Sequence, residues 1–164
     1  MLLVLIVLGR LVGIWPDLVP EDLTPGGYSV REIIDGDTLR LGNGARIRLI
    51  GVDAPEVDGP GGLPEPFAGE ATEFVRGLVA AAGGEVRLEF DRIRRDRFGR
   101  FLAYVYAGDW FVNEELLRQG LARTRLEFEY SAYMKNRFRE AEREAQKAKR
   151  GIWSLGFVES DSGQ

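Results

Sequence analysis

The spacing of apolar positions changes several times along the chain, and each change marks an element. Residues 28–34 form a β-rich run, and Asp35-Gly36-Asp37 reads as a turn. Apolar and polar residues alternate through Thr38-Leu39-Arg40-Leu41, then again from Ala45 to Val52 through Ile47 and Leu49. The hairpin signal Gly42-Asn43-Gly44 lies between these two runs. Three strands with tight connections predict an antiparallel meander. After a Gly/Pro loop over 59–66, Ala71, Phe74, Val75, Leu78, Val79 and Ala82 fall at helix spacing, and Gly83-Gly84 stops that helix. Val86, Leu88 and Phe90 alternate as a fourth strand, and a charged loop over 91–99 leads into a fifth over 100–106. Asn113 is expected to cap the start of a short helix ending at Gly120. Met134, Phe138, Ala141, Ala145, Ala148 and Ile152 recur at alternating spacings of four and three, which predicts a last amphipathic helix. Five short strands with a helix after the third predict an α+β, mainly β domain: a five-stranded OB-fold barrel with three helices.

The N-terminus has a different pattern. Residues 1–15 are apolar except for Gly and Arg10, and Pro16, Pro20 and Pro25-Gly26-Gly27 mark a linker over 16–27. The folded domain is expected over 28–154, followed by a polar C-terminal tail over 155–164. As a helix, the apolar run would span roughly 22 Å, short of the roughly 30 Å hydrocarbon core of a bilayer. It fits the hydrophobic region of a secretory signal or an uncleaved anchor, with membrane association through residues 1–15. A buried core helix is the competing reading, but the run is apolar on every face and the linker sets it apart. The expected location is secreted or membrane-anchored, outside the cytoplasm.

Composition narrows the chemistry. The 164 residues are 45% hydrophobic and 29% charged, enough for one domain with a real core. The sequence has no His and no Cys, which excludes disulfides, thiolate zinc sites, Ser-His-Asp triads and histidine acid/base catalysis. An enzyme of this composition must use carboxylates, arginines, hydroxyls, backbone groups or a hard cation with oxygen ligands. The net charge of -4 excludes a globally basic nucleic-acid binder. Only Lys135, Lys147 and Lys149 are lysines among 22 basic residues; the rest are Arg, whose planar fork suits two-point contact with phosphate.

Four polar clusters stand out: Asp35-Gly36-Asp37-Thr38 in a turn, Arg48 in the third strand, Asp53-Ala54-Pro55-Glu56 just after it, and Asp96-Arg97-Phe98-Gly99-Arg100 before the fifth strand. Each alone reads more simply as turn or loop polarity. Together, carboxylates at the ends of adjacent strands can converge on one hard cation, flanked by two arginines. That set suits phosphodiester chemistry without histidine; an internal ion pair is the plainer alternative.

Ile34-Asp35-Gly36-Asp37-Thr38, the run from Arg48 to Glu56 and the run from Asp96 to Arg100 resemble the signature segments of the staphylococcal nuclease (thermonuclease) family, in order and at compatible spacing. Phe101 to Tyr106, Val112-Asn113-Glu114, Arg118 to Ala122 and Gly151-Ile152-Trp153-Ser154 extend the resemblance over about 28–154. It implies a monomeric, calcium-dependent nuclease acting on single- or double-stranded DNA and RNA and leaving 3′-phosphate ends. Asp37, Asp53 and the carbonyl of Ala54 would hold Ca2+. Glu56 would serve as general base through a water at the metal. Arg48 and Arg100 would bind the scissile phosphate, and Arg97 with Phe98 would contact substrate. Phe98, Leu126 and Phe128 stand where the family carries tyrosines, and Gly61 and Gly62 where it carries lysines, so nucleotide contacts are expected to differ. The alternatives are a catalytically silent nucleic-acid-binding domain of the same family and a membrane-tethered OB-fold interaction module.

Overall fold

The computed structural model describes residues 19–155. In chain order the elements are β1 (Gly26–Ile33), β2 (Thr38–Leu41), β3 (Arg46–Leu49), β4 (Val52–Asp53), α1 (Ala68–Ala81), β5 (Glu85–Glu89), β6 (Phe101–Ala107), β7 (Trp110–Phe111), α2 (Val112–Arg118), β8 (Arg123–Thr124) and α3 (Ala132–Lys147). Two short 3-10 turns, Pro60–Gly62 and Gly151–Leu155, complete the described residues. Residues 1–15, expected to be a signal or anchor, and 156–164 lie outside the described residues. Among the described residues no helix is long and apolar enough to cross a membrane.

β1, β2 and β3 form the expected antiparallel meander. β1 serves two neighbours: its second half pairs with β2 and its first half with β5. The register shifts between Val30 and Glu32, and such an irregularity lets one strand bend around a barrel corner. β5 pairs with β6, and β6 returns to pair in parallel with β3, which closes five strands into a barrel. This is the predicted OB-type architecture. Alternation places Leu39, Leu41, Ile47, Leu49, Leu88, Phe101 and Val105 inside. α1 adds Ala71, Val75 and Val79 to this core, while Phe138 of α3 packs among Tyr104, Phe111 and Tyr130.

Four features differ from the sequence expectations. The last helix ends at Lys147, and Ile152, expected on it, lies in the 3-10 turn beyond the positive φ of Lys149. The two-residue strands β4, β7 and β8 were not foreseen. The predicted linker is docked at its second half: Leu23 is buried, and Arg94 and Arg95 donate to the carbonyls of Leu23, Glu21 and Pro20. Asn113 does not cap α2. The helix starts at Val112 after Phe111, and Asn113 is fully buried. Its Oδ1 accepts the Val105 N–H at 2.9 Å, and its Nδ2 donates to the Ile50 carbonyl at 2.9 Å. The side chain thus ties α2 to β6 and to the corner after β3. Asn113→Ala orphans a buried donor and a buried acceptor, each worth about 1–3 kcal/mol. A loss of about 3 kcal/mol or more is expected in urea unfolding; a change under about 1 kcal/mol would remove this role.

Candidate active site

Strand alternation aims the central arginine. Ile47 and Leu49 fill the barrel, so Arg48 points the other way. Its Nη1 lies 2.8 Å from Asp37 Oδ2 and donates to the Val52 carbonyl at 2.7 Å. Its Nη2 donates to Asp53 Oδ1 at 2.8 Å. One guanidinium therefore bridges carboxylates from two different strand ends. Gly51 makes the sharp β3–β4 corner possible: it has φ +74, and a Cβ there would meet Tyr130 at 2.8 Å and Phe138 at 2.7 Å. That corner carries Val52 and Asp53 back toward Arg48.

Asp37 is only 4% exposed. Its Oδ2 also accepts the Ala54 N–H at 2.8 Å, and its Oδ1 accepts the Thr38 hydroxyl at 3.0 Å. Burial pushes its carboxyl well above the usual range; Arg48 opposes this and Asp35 adds to it. Glu56 is also raised, first by burial and then by Asp35, with Arg48 opposing and Asp53 and Glu65 adding to the rise. Main-chain bonds hold it in place. The Glu56 N–H donates to Glu65 Oε2 at 2.9 Å, and the Glu65 N–H returns to the Glu56 carbonyl at 2.9 Å.

Arg100 sits just before β6. Its Nε donates to Asp96 Oδ2 at 2.7 Å and its N–H to Asp96 Oδ1 at 3.0 Å. Burial acts to raise Asp96, but the Arg100 side chain and the main-chain donors of Arg100 and Phe98 hold it below the usual range. Asp96 is thus an ionised brace for Arg100. Phe98 is 65% exposed, with the Arg97 guanidinium 4.7 Å from its ring centre.

Arg48, Asp53, Glu56, Arg97, Phe98 and Arg100 line one cavity of about 570 Å³. Asp37 lies behind it, reached through Arg48. Ala54 is buried; it lines a smaller cleft of about 250 Å³ on the other side of Asp53 and touches the site through its N–H to Asp37. The sequence reading missed Arg125, Asp91 and Glu65. Arg125 follows β8, and its Nη1 donates to Asp53 Oδ2 at 2.9 Å. Asp91 lines the cavity and accepts the Tyr104 hydroxyl at 2.6 Å and the Ser131 N–H at 2.8 Å. The two-residue strand Arg123–Thr124 is too short to leave a periodic signal, so nothing local in the sequence announces Arg125.

The donor set fits a hard cation. Asp37 and Asp53 would supply carboxylate oxygens and Ala54 a main-chain carbonyl, all hard donors, and the sequence has no Cys or His to offer a softer one. Burial is the largest cause of the raised proton affinity of both Asp37 and Glu56, and Arg48 opposes it in each. Among the described residues no three carboxylate side chains gather around one point. A cation here would therefore rely on two carboxylates, a carbonyl and waters.

Residues 46–155 match the model of the "Staphylococcal nuclease homologue" family. The chain is 39% identical to the thermonuclease of Staphylococcus hyicus over 130 residues, covering 77% of this chain and 75% of that protein. It is 39% identical to the thermonuclease of Staphylococcus intermedius over 137 residues, covering 80% and 79%. It is also 39% identical to endonuclease YncB of Bacillus subtilis over 130 residues, covering 76% and 61%.

Proposed function

Because the chain belongs to the staphylococcal nuclease family, we propose that it is a calcium-dependent nuclease hydrolysing phosphodiester bonds of DNA and RNA and leaving 3′-phosphate ends. The observation that carries this reading is the Arg48 bridge between Asp37 and Asp53, on the wall of a cavity that also holds Glu56 and Arg100. Asp37, Asp53 and the Ala54 carbonyl would hold the calcium ion. When bound, it supplies Lewis-acid charge neutralisation at the scissile phosphate. Glu56 accepts the proton of the attacking water, and its raised proton affinity makes it a stronger base than a free carboxylate. Arg48 and Arg100 donate to the non-bridging oxygens as charge builds on phosphorus. Asp96 keeps Arg100 extended toward that point, and Arg97 and Phe98 border the path of the chain being cut. Local positive charge from these groups offsets the acidic net charge.

The test is digestion of single-stranded DNA and RNA by the purified protein in calcium, with the product ends identified. New ends that a phosphatase converts from 3′-phosphate to 3′-hydroxyl support the reading. Intact substrate, or 3′-hydroxyl ends formed directly, contradicts it. Location outside the cytoplasm rests on the apolar run 1–15. The N-terminal mass of the exported chain tests it; a full-length chain found only inside cells would contradict it.

A further inference from the structure

Asp53 is held from both sides in a way the catalytic set does not require. Arg48 takes Oδ1 and Arg125 takes Oδ2, each within 2.9 Å. The two arginines are not equivalent. The Arg48 side chain is 14% exposed and also serves Asp37 and the Val52 carbonyl. Its departure would cost the buried Asp37 carboxylate its ion-pair partner and the Val52 carbonyl a donor. The Arg125 side chain is 39% exposed, and its remaining ion-pair partner is Glu127, with Nε 2.5 Å from the carboxylate. Its main chain is fixed by an N–H to the Gly51 carbonyl at 2.9 Å. Its guanidinium lies 5.2 Å from the Phe128 ring centre, on the wall of the cavity that contains Arg48, Arg97 and Arg100.

On the reading that Asp37 and Asp53 hold the cation, we propose that Arg125 is a positioning residue. It occupies Asp53 until a divalent cation displaces it, and it then adds a third arginine to the phosphate-binding wall. The reason is competition for one oxygen. A cation that takes Asp53 Oδ2 meets a guanidinium already there, and Arg125 is the one that can leave at least cost. Once released, Arg125 stays within the same cavity because its backbone is pinned. Cation binding thereby raises the positive charge available to phosphate, so the two ligands favour each other. Arg125 weakens cation binding alone and strengthens the link between cation and phosphate.

Calorimetric titration of calcium chloride into the full chain tests this, without and with thymidine 3′-monophosphate as an uncleavable phosphate probe. Arg125→Gln is expected to bind calcium about three- to tenfold more tightly than the wild type. Arg125→Lys should fall between them. The gain in thymidine 3′-monophosphate affinity caused by calcium should be smaller in Arg125→Gln. Calcium affinity that is unchanged or weaker in Arg125→Gln would overturn the proposal. Asp53→Asn keeps the outcomes distinguishable. If it abolishes calcium binding while Arg125→Gln leaves affinity unchanged, the ligand reading stands and the role of Arg125 falls. If Asp53→Asn binds calcium like the wild type, both fall.

Discussion

Arg100→Ala is expected to lower the rate of single-stranded DNA cleavage by about 10²- to 10³-fold while leaving the fold intact. Nε of Arg100 is committed to Asp96, which leaves the two terminal nitrogens as the part facing the cavity. These are donors in place before charge develops, so removing them raises the barrier rather than only weakening binding. Stability should change little, by about 1 kcal/mol, because Asp96 keeps the main-chain N–H groups of Phe98 and Arg100. Arg100→Lys should recover little of the activity, since an ammonium can meet Asp96 or a phosphate oxygen but does not reproduce the fork. Kinetics paired with urea unfolding checks this; a wild-type rate in Arg100→Ala would remove Arg100 from the reaction.

Arg48→Ala is expected to damage both activity and stability. Arg48 is the shared counter-charge of Asp37 and Asp53 and the donor to the Val52 carbonyl. Breaking a buried pair by removing one partner costs up to about 3–5 kcal/mol, and Asp37, already raised by burial, escapes part of that cost by taking up a proton. Asp37 would keep only the Ala54 N–H and the Thr38 hydroxyl. Cleavage should fall by about 10²-fold or more at saturating calcium, where the loss reflects the missing phosphate donor. The contrast with Arg100→Ala is the informative part: similar loss of rate, but a large loss of stability only for Arg48. Equal stability of the two variants would mean that Arg48 is not the keystone of the carboxylate pair.

The sequence makes local features visible and hides those created by closure. Leu39, Leu41, Ile47 and Leu49 announce their strands because alternation is a local property, and the Gly42-Asn43-Gly44 hairpin carries its own signal. The parallel pairing of Ile47 with Phe101 joins residues far apart in the chain and leaves no local trace. Strands of two residues, such as Val52-Asp53 and Arg123-Thr124, are too short for any periodicity. Asn113 looked like a cap because polar residues favour helix starts, yet its side chain is used across the barrel instead. Asp37, Arg48, Asp53, Glu56 and Arg100 stand out in the sequence because they lie in compact motifs, and the fold brings Arg48, Asp53, Glu56 and Arg100 to one cavity with Asp37 paired to Arg48. Arg125 and Glu65 do not stand out, since a lone charged residue in an alternating or Gly/Pro segment reads as solvent-facing until tertiary structure brings a partner to it.

On this mechanism a divalent cation held by Asp37 and Asp53 makes phosphodiester cleavage possible. The most direct measurement is the initial rate of single-stranded DNA cleavage by the full chain in calcium, after chelation, and after calcium is restored. Cleavage is expected to stop on chelation, to return with calcium, and to be lost in Asp53→Asn under all three conditions. Cleavage that continues at the same rate in excess chelator would contradict this mechanism.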